Sequence, residues 1–193
     1  MTMTMTSTIA EDEKRLRELA LYVASKCWRD EHFGVLKLNK ILFYSDFLAY
    51  RRLGKAITGV EYRKYVHGPA PAIMRKVRRD LVQKGDAHEW QNPVPGRGGQ
   101  PYNENRLLAI RTPEIDEHFS SSQISIVDEV IERLRADTGR DVSDLSHCHP
   151  GWKLAAMEEP IPYYTELLPL DGPSQLSATD LAKAKDIAIK FFQ

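Results

Sequence analysis

The strongest constraint on the fold is an apolar segment, residues 37–53, that is hydrophobic on two sides of a helix. One face carries Leu38, Ile41, Leu42, Ser45 and Leu48, and the second carries Phe43, Phe47 and Tyr50. These residues recur at three- and four-residue steps, which indicates a helix. Because a helix that is apolar on two sides is packed on two sides, we predict that it is central to the fold. Gly54 is well placed to end it.

Helical and strand patterns alternate along the rest of the chain. Helices are predicted at about 11–29, 71–84, 123–137, 141–147 and 151–157, with a terminal helix capped by Ser177 or Thr179. Strands are predicted at 58–66, 88–95 and 102–111, the last two as a hairpin. Pro69 and Pro71 are expected to open helix 71–84, Gly139 to end helix 123–137, and Pro160 and Pro162 to force an extended segment through Tyr163 and Tyr164.

These patterns predict an α+β fold, a mostly α-helical single domain with a small antiparallel sheet or hairpin. We expect a disordered N-terminal tail over 1–9 and the main domain over 10–168. A linker and a C-terminal helix, 169–193, are expected to pack on the same domain.

Composition excludes several classes of function. Lysine plus arginine number 27, and aspartate plus glutamate also number 27, so the net charge is zero. A neutral chain has no overall attraction to nucleic acid or to an anionic membrane, and any basic patch must be local. The two cysteines are too few for a disulfide scaffold, and no apolar run approaches the roughly 20 residues of a membrane span. With no signal-peptide pattern at the N-terminus, we expect a cytoplasmic protein.

Two clusters raise the question of catalysis or cofactor binding. His147, Cys148 and His149 suggest a metal or nucleophilic site, but no further ligands stand at motif spacing, so packing and hydrogen bonding are the favoured interpretation. The stretch 96–99, which contains Arg97, is glycine-rich, but it does not lead from a strand into a helix and is better explained as a hairpin tip. We therefore expect no enzyme, no cofactor and no metal site.

A basic face is the sharper functional signal. Helix 71–84 carries Arg75, Lys76, Arg78 and Arg79 on its outer side, close in sequence to Arg51, Arg52, Lys55, Arg63 and Lys64. Such a face is solvated, or it binds an acidic protein surface or nucleic-acid phosphates. A winged helix-turn-helix would need a short turn between two helices, and a predicted strand and a Gly-Pro turn stand there instead.

Three segments carry a resemblance to a known family. Residues 37–44, read Lys-Leu-Asn-Lys-Ile-Leu-Phe-Tyr, resemble the start of the central helix of the Panacea (SocA-like) antitoxin domain, and Gly54-Lys55 follows as is usual there. The stretch from Glu61 to Tyr65, followed by Gly68-Pro69, is similar to the strand and Gly-Pro corner of the family.

The third segment lies downstream. Leu145-Ser146-His147, with His149-Pro150 and Trp152, resembles the later Leu-Ser…His…Pro-Trp element of the family. Tyr65 stands where tryptophan is common and Ala70 where valine is common. Either His147 or His149 matches the family histidine.

The resemblance implies an antitoxin of a bacterial toxin–antitoxin pair, often prophage-associated, that neutralises a toxin encoded by the adjacent gene through direct protein–protein binding. Some family members instead deliver a toxin to a protease. A rival hypothesis from the basic face is a winged-helix-like DNA-binding regulator. The motif residues, structural or partner-binding, are Lys37, Leu38, Lys40, Tyr44, Tyr65, Gly68, Pro69, His147, His149 and Trp152. The candidate toxin-binding residues are Arg75, Lys76, Arg78, Arg79 and Arg97, the last in the 93–101 loop.

Overall fold

The computed structural model of the protein describes the backbone of residues 2–94 and 102–168, and the side chains of residues 10–94 and 103–168. The predicted helix capped by Ser177 or Thr179 and the tip that contains Arg97 lie outside the described residues.

The described chain is an α+β fold that is mostly helical, as the sequence predicts. Its helices are α1 (Thr2–Lys26), α2 (Val35–Leu53), α3 (Met74–Gln83), α4 (Ile115–His118), α5 (Ser121–Arg133), α6 (Gly139–Ser146) and α7 (Pro150–Leu154). Its strands are β1 (Tyr62–Arg63), β2 (Ala70–Pro71), β3 (Ala87–Val94) and β4 (Tyr102–Ala109). A 3-10 helix, Tyr163–Leu167, stands where an extended segment is predicted.

Helix α2 is central, which confirms the prediction from its two apolar faces. It contacts α1, α5, α6, β2, β4 and the 3-10 helix. Its buried apolar residues are Leu38, Ile41, Leu42, Phe43, Phe47 and Ala49, and it also buries Lys37, Lys40, Ser45 and Asp46. Gly54 ends the helix in the left-handed region, at φ 72°, and its N–H donates to the Tyr50 carbonyl oxygen.

The short sheet differs from the prediction. Strand β1 holds only Tyr62 and Arg63, where a strand over 58–66 is predicted, and it pairs antiparallel with β2. Pro71 lies opposite Tyr62 in β2 and does not open α3, which begins at Met74. The ladder tolerates this proline because its bond on that side comes from the N–H of Ala72, which donates to the Glu61 carbonyl oxygen at 2.9 Å.

The predicted hairpin is confirmed as β3 and β4, paired from Ala87 with Ala109 to Val94 with Tyr102. Alternation along the strands sends one face toward the core, where Ala87 and Leu107 are buried. The hairpin contacts α1 and α3, and β4 also contacts α2.

Two helix boundaries correct the sequence prediction. Helix α1 begins at Thr2, where a start near Glu11 is predicted. Gly139 opens α6 and does not end α5, because Thr138 and Asp141 form a capping box around the first turn of α6. Helix α5 has a similar box between Ser120 and Gln123.

Candidate functional site

Helix α2, the segment joining β1 to β2, and helix α3 enclose a groove of about 950 Å³. Its lining includes Asn39 and Lys40 from α2, Tyr65, Val66 and Gly68 from the turn after β1, and Arg75 and Arg78 from α3. We call this feature the corner groove. It brings three family-motif positions together with two residues of the basic face.

The Gly-Pro turn forms the inner wall of the corner groove. Gly68 lies at φ 87°, a conformation that residues with a Cβ rarely adopt, and its N–H donates to the Tyr65 carbonyl oxygen at 2.9 Å. A Cβ at this position would stand 2.2 Å from Ser146 Oγ and 2.7 Å from Lys40 Cε. The glycine therefore lets the turn lie directly against α2 and the end of α6.

Lys40 lies at the bottom of the corner groove, where it is almost fully buried. Its Nζ donates to the Pro69 carbonyl oxygen at 2.8 Å, and no carboxylate of the described residues lies within ion-pair distance. Burial lowers the pKa of this amine to about 7. A motif lysine is thus held in the interior with part of its hydrogen-bonding capacity unused.

Lys37, one turn earlier on α2, has a different environment. Its Nζ donates to Asp30 Oδ2 at 2.7 Å, to the Arg135 carbonyl oxygen at 3.0 Å and to the Asp137 carbonyl oxygen at 2.7 Å. An ammonium group has three N–H donors, so all of them are occupied. Lys37 therefore ties the α5–α6 connection to α2, and this arrangement is structural.

The two motif histidines have separate roles. His147 stacks on Trp152 with ring centroids 4.1 Å apart, and Trp152 Nε1 donates to the Tyr65 carbonyl oxygen at 3.3 Å. The pKa of His147 lies below its ordinary value because the ring is partly buried and because Lys40 is cationic. Within the described residues, His147 Nε2 has no hydrogen-bond partner.

His149 is buried and begins α7. Its Nδ1 accepts from the Gly151 N–H at 3.0 Å, and its Nε2 lies 2.9 Å from Glu166 Oε2. Since Nδ1 accepts a hydrogen bond, the ring N–H is on Nε2, and this N–H donates a hydrogen bond to Glu166 Oε2. The ring also meets Phe43 and Phe47 edge to face. This histidine anchors α7 and the 3-10 helix on α2.

The His147–His149 segment does not converge on one point, since each side chain has its own surroundings. The intervening Cys148 is exposed, with Sγ 4.0 Å from the Asp144 carbonyl oxygen. Among the described residues, the group with spacing suited to a metal is Glu114, Glu117 and His118. The glutamates are exposed, and Arg111 Nη1 lies 3.8 Å from Glu114, which disfavours a cation there.

The remaining motif residues serve packing. Leu38 is fully buried in the core, and Tyr44 packs edge to face on Phe43 with centroids 5.3 Å apart. Burial raises the pKa of the Tyr44 hydroxyl well above its ordinary value.

Some residues of the basic face line the corner groove and others do not. Arg75 is exposed at the corner groove, and Arg78 shares the groove while its Nε donates to Glu89 Oε2 at 3.0 Å. Lys76 lies outside the lining and pairs with Glu13 at 2.5 Å. Arg79 is exposed outside the lining. Acidic neighbours therefore neutralise part of the charge that the sequence suggests.

A buried carboxyl group that sequence reasoning missed positions the strand beside the corner groove. Asp46 is fully buried and accepts from the Thr58 N–H at 2.7 Å, the Thr58 hydroxyl at 2.5 Å and the Tyr62 hydroxyl at 2.8 Å. Burial raises its pKa despite these bonds. The available signal was an aspartate between Ser45 and Phe47 on a helix predicted to be buried on two sides.

A family model described as "Antitoxin SocA-like, Panacea domain" matches residues 38–153. The match covers more than half of the chain and includes the corner-groove residues between Asn39 and Arg78. The chain therefore belongs to the family of SocA-like antitoxins with a Panacea domain. Comparison with curated proteins finds no match, and comparison with solved structures finds none.

Membrane crossing places its own demands on a helix. Among the helices of residues 2–94 and 102–168, none combines the length and the apolar character that a bilayer crossing requires.

Proposed function

We propose that this protein is the antitoxin of a toxin–antitoxin pair, that it acts in the cytoplasm without catalysis, and that it neutralises its toxin by direct binding at the corner groove. The observation that supports this most strongly is the shared location of Lys40, Tyr65 and Gly68 with Arg75 and Arg78. Family-motif residues and the chemically distinctive basic side chains lie on one concave surface.

The physical character of the corner groove suits recognition of a protein segment. Its volume of about 950 Å³ is at the upper end of the range typical of ligand sites. Its walls are a central helix, a glycine-dependent turn and a helix packed on the core, so the groove is largely preformed. The lining also includes the apolar side chains of Val66 and Met74, and binding sites in proteins combine apolar side chains with a few polar groups.

The DNA-binding alternative is less well supported by the same surface. Lys76 and Arg78 are paired with glutamates, so α3 does not present a continuous row of free cations. Strands β1 and β2 separate α2 from α3, and the short turn of a helix-turn-helix does not connect them. A local charge that is already partly neutralised fits a protein partner better than a phosphate backbone.

The experiment is coexpression with the product of the adjacent gene, read as rescue of growth and as copurification. Wild-type protein is expected to rescue and to copurify. Arg75→Glu, which reverses a charge in the corner groove, is expected to weaken both. Lys153→Glu, a charge reversal at an exposed lysine of α7 outside the groove, is the matched control and is expected to behave as wild type.

Failure of the wild-type protein to rescue cells or to bind the neighbouring product contradicts the proposed function. Equal effects of Arg75→Glu and Lys153→Glu contradict the corner groove as the contact surface. Faster degradation of the partner when the antitoxin is present would instead identify a protease adaptor.

A further inference from the structure

We infer that the corner groove takes an acidic segment of the partner protein and seats one aspartate or glutamate carboxylate on Lys40 Nζ. This inference rests on the proposed function for the existence of a protein partner, and it adds the chemistry that the partner must supply.

Lys40 has unfilled hydrogen-bonding capacity. Its ammonium form has three N–H donors, and the Pro69 carbonyl oxygen is its one acceptor among the described residues. A buried ammonium without a counter-ion is unfavourable, because burial removes its water shell and a single carbonyl oxygen replaces only part of it. A carboxylate brought by a partner supplies both the charge and the acceptors.

The neighbouring residue has an unfilled acceptor. Asn39 also lines the corner groove, and its Oδ1 is buried without a donor among the described residues. Buried polar atoms are normally paired, so an orphaned one requires an explanation. A peptide in the groove has a backbone N–H to offer Asn39 and a side-chain carboxylate to offer Lys40, and it thereby satisfies both groups together.

The balance of charge along the lining favours an acidic occupant. The lining contains Lys40, Arg63, Arg75 and Arg78, and Glu158 is the acidic residue among its described members. Glu61 pairs with Arg63 and Glu89 pairs with Arg78. The cations left without a described carboxylate partner are therefore Lys40, at the bottom, and Arg75, at the rim, which is the charge pattern for a short acidic segment.

The same geometry favours a peptide over nucleic acid. Phosphate backbones require several exposed cations at repeated spacing, whereas Lys40 is only 1% exposed. Val66, by contrast, is 69% exposed on the lining and offers an apolar contact. The segment we expect thus combines apolar and acidic side chains.

The test uses the full-length protein and two capped synthetic nonapeptides, one alternating leucine with glutamate and one with glutamine in place of every glutamate. Binding is followed by NMR amide shifts. The glutamate peptide is expected to shift the amides of Asn39, Lys40, Val66 and Arg75, and to bind at least about tenfold more tightly than the glutamine peptide. The pKa of Lys40, about 7 in the free protein, is expected to rise on binding.

Two variants complete the test. Lys40→Met is expected to remove the preference for the glutamate peptide, while Lys153→Met, an exposed lysine outside the corner groove, is expected to retain it. The comparison of the two peptides on the wild-type protein stands even where Lys40→Met does not fold.

Equal binding of both peptides, absence of binding by the glutamate peptide, or shifts confined to another surface would overturn the inference. Stronger shifts at the same amides with a 20-base-pair DNA duplex would replace the peptide with nucleic acid. If the wild-type protein rescues cells and Lys40→Met does so equally well, the inference fails while the proposed function survives. If the wild-type protein fails to rescue but binds the glutamate peptide selectively, the proposed function fails alone.

Discussion

The amine of Lys40 donates to the carbonyl oxygen of Pro69 at 2.8 Å, and this one bond links the central helix to the turn that follows β1. Lys37, on the same helix, has all three of its donors occupied by Asp30 and by two carbonyl oxygens. The two motif lysines look equivalent in the sequence, but their N–H donors are used differently. One is fully satisfied inside the protein, and the other has donors left for a partner.

Replacement of these lysines separates the two roles. Lys37→Met is expected to lower the free energy of unfolding by about 3–5 kcal/mol, since it leaves a largely buried carboxylate without its partner. Lys40→Met is expected to cost much less, because it leaves one carbonyl oxygen unpaired and removes a buried amine. Urea unfolding of both variants measures the difference, and equal losses would show that both lysines are structural.

The stability contributed by Lys40 should depend on pH. Its pKa is about 7 in the folded protein, against 10.5 for a lysine freely exposed to water, as in the unfolded chain. Between these values the unfolded chain binds more protons, so the free energy of unfolding contributed by this group rises with pH. Below pH 7 both states are protonated, and the penalty for burying the cation is complete. The free energy of unfolding of Lys40→Met, relative to that of the wild type, should therefore be highest below pH 7.

Unfolding of both proteins from pH 6.5 to 8.5 tests this dependence. The charge of Lys40 acts on His147, at the end of α6, so the titration of His147 is followed separately in both proteins, and groups that titrate alike cancel in the difference. The pKa of His147 should rise in Lys40→Met, because Lys40 is one of the causes that lower it. A difference in stability that does not change with pH would contradict the assignment.

Comparison of two glycines distinguishes the cost of backbone strain from the cost of a steric clash. Gly68 and Gly85 both lie at positive φ, 87° and 77°, so an alanine at either position incurs about 1–2 kcal/mol of conformational strain. A Cβ at Gly85 meets nothing within 4 Å, whereas one at Gly68 meets Ser146 Oγ and Lys40 Cε. Gly68→Ala should therefore destabilise more than Gly85→Ala in thermal unfolding.

The additional loss of stability in Gly68→Ala, compared with Gly85→Ala, should be smaller when Ser146 is also changed to glycine, because Ser146 Oγ, the atom nearest to the new Cβ, is then absent. Equal losses at the two glycines would show that the turn does not press against α2 and α6.

The buried Asp46 network should behave as one unit. Tyr62→Phe removes a single hydrogen bond and should cost about 1 kcal/mol. Asp46→Ala should cost more, because the N–H of Thr58 and the hydroxyl of Tyr62 then lose their acceptor. The double variant should lose less than the sum of the single losses. Additive losses in a double-mutant cycle would contradict a shared network.

Periodicity predicted the elements that are fixed by local pattern. Helix α2 follows from its two apolar faces and from Gly54, and the β3–β4 hairpin follows from strand formers on either side of a turn-rich stretch. Pro71 was misassigned because its pairing with Tyr62 depends on a bond from the next residue, Ala72, to Glu61. That bond is a tertiary contact, and the local rule for proline in a first helical turn does not contain it.

The candidate site could be predicted only in part for the same reason. The motif indicated Lys40 and Gly68, and the charge pattern indicated Arg75 and Arg78, but their meeting in one groove depends on the β1–β2 corner. The partners that neutralise Lys76 and Arg78 come from distant segments, Glu13 and Glu89. Asp46 was overlooked because a single aspartate carries no spacing, and its importance arises from burial beside Thr58 and Tyr62.

Amide hydrogen exchange of the full-length protein, with and without the product of the adjacent gene, tests most directly whether the corner groove is the contact surface. We predict slower exchange in the complex at residues 62–78 and at the start of α2, with little change along α5. Protection confined to α5 or α7, with exchange around the corner groove unchanged, would contradict it.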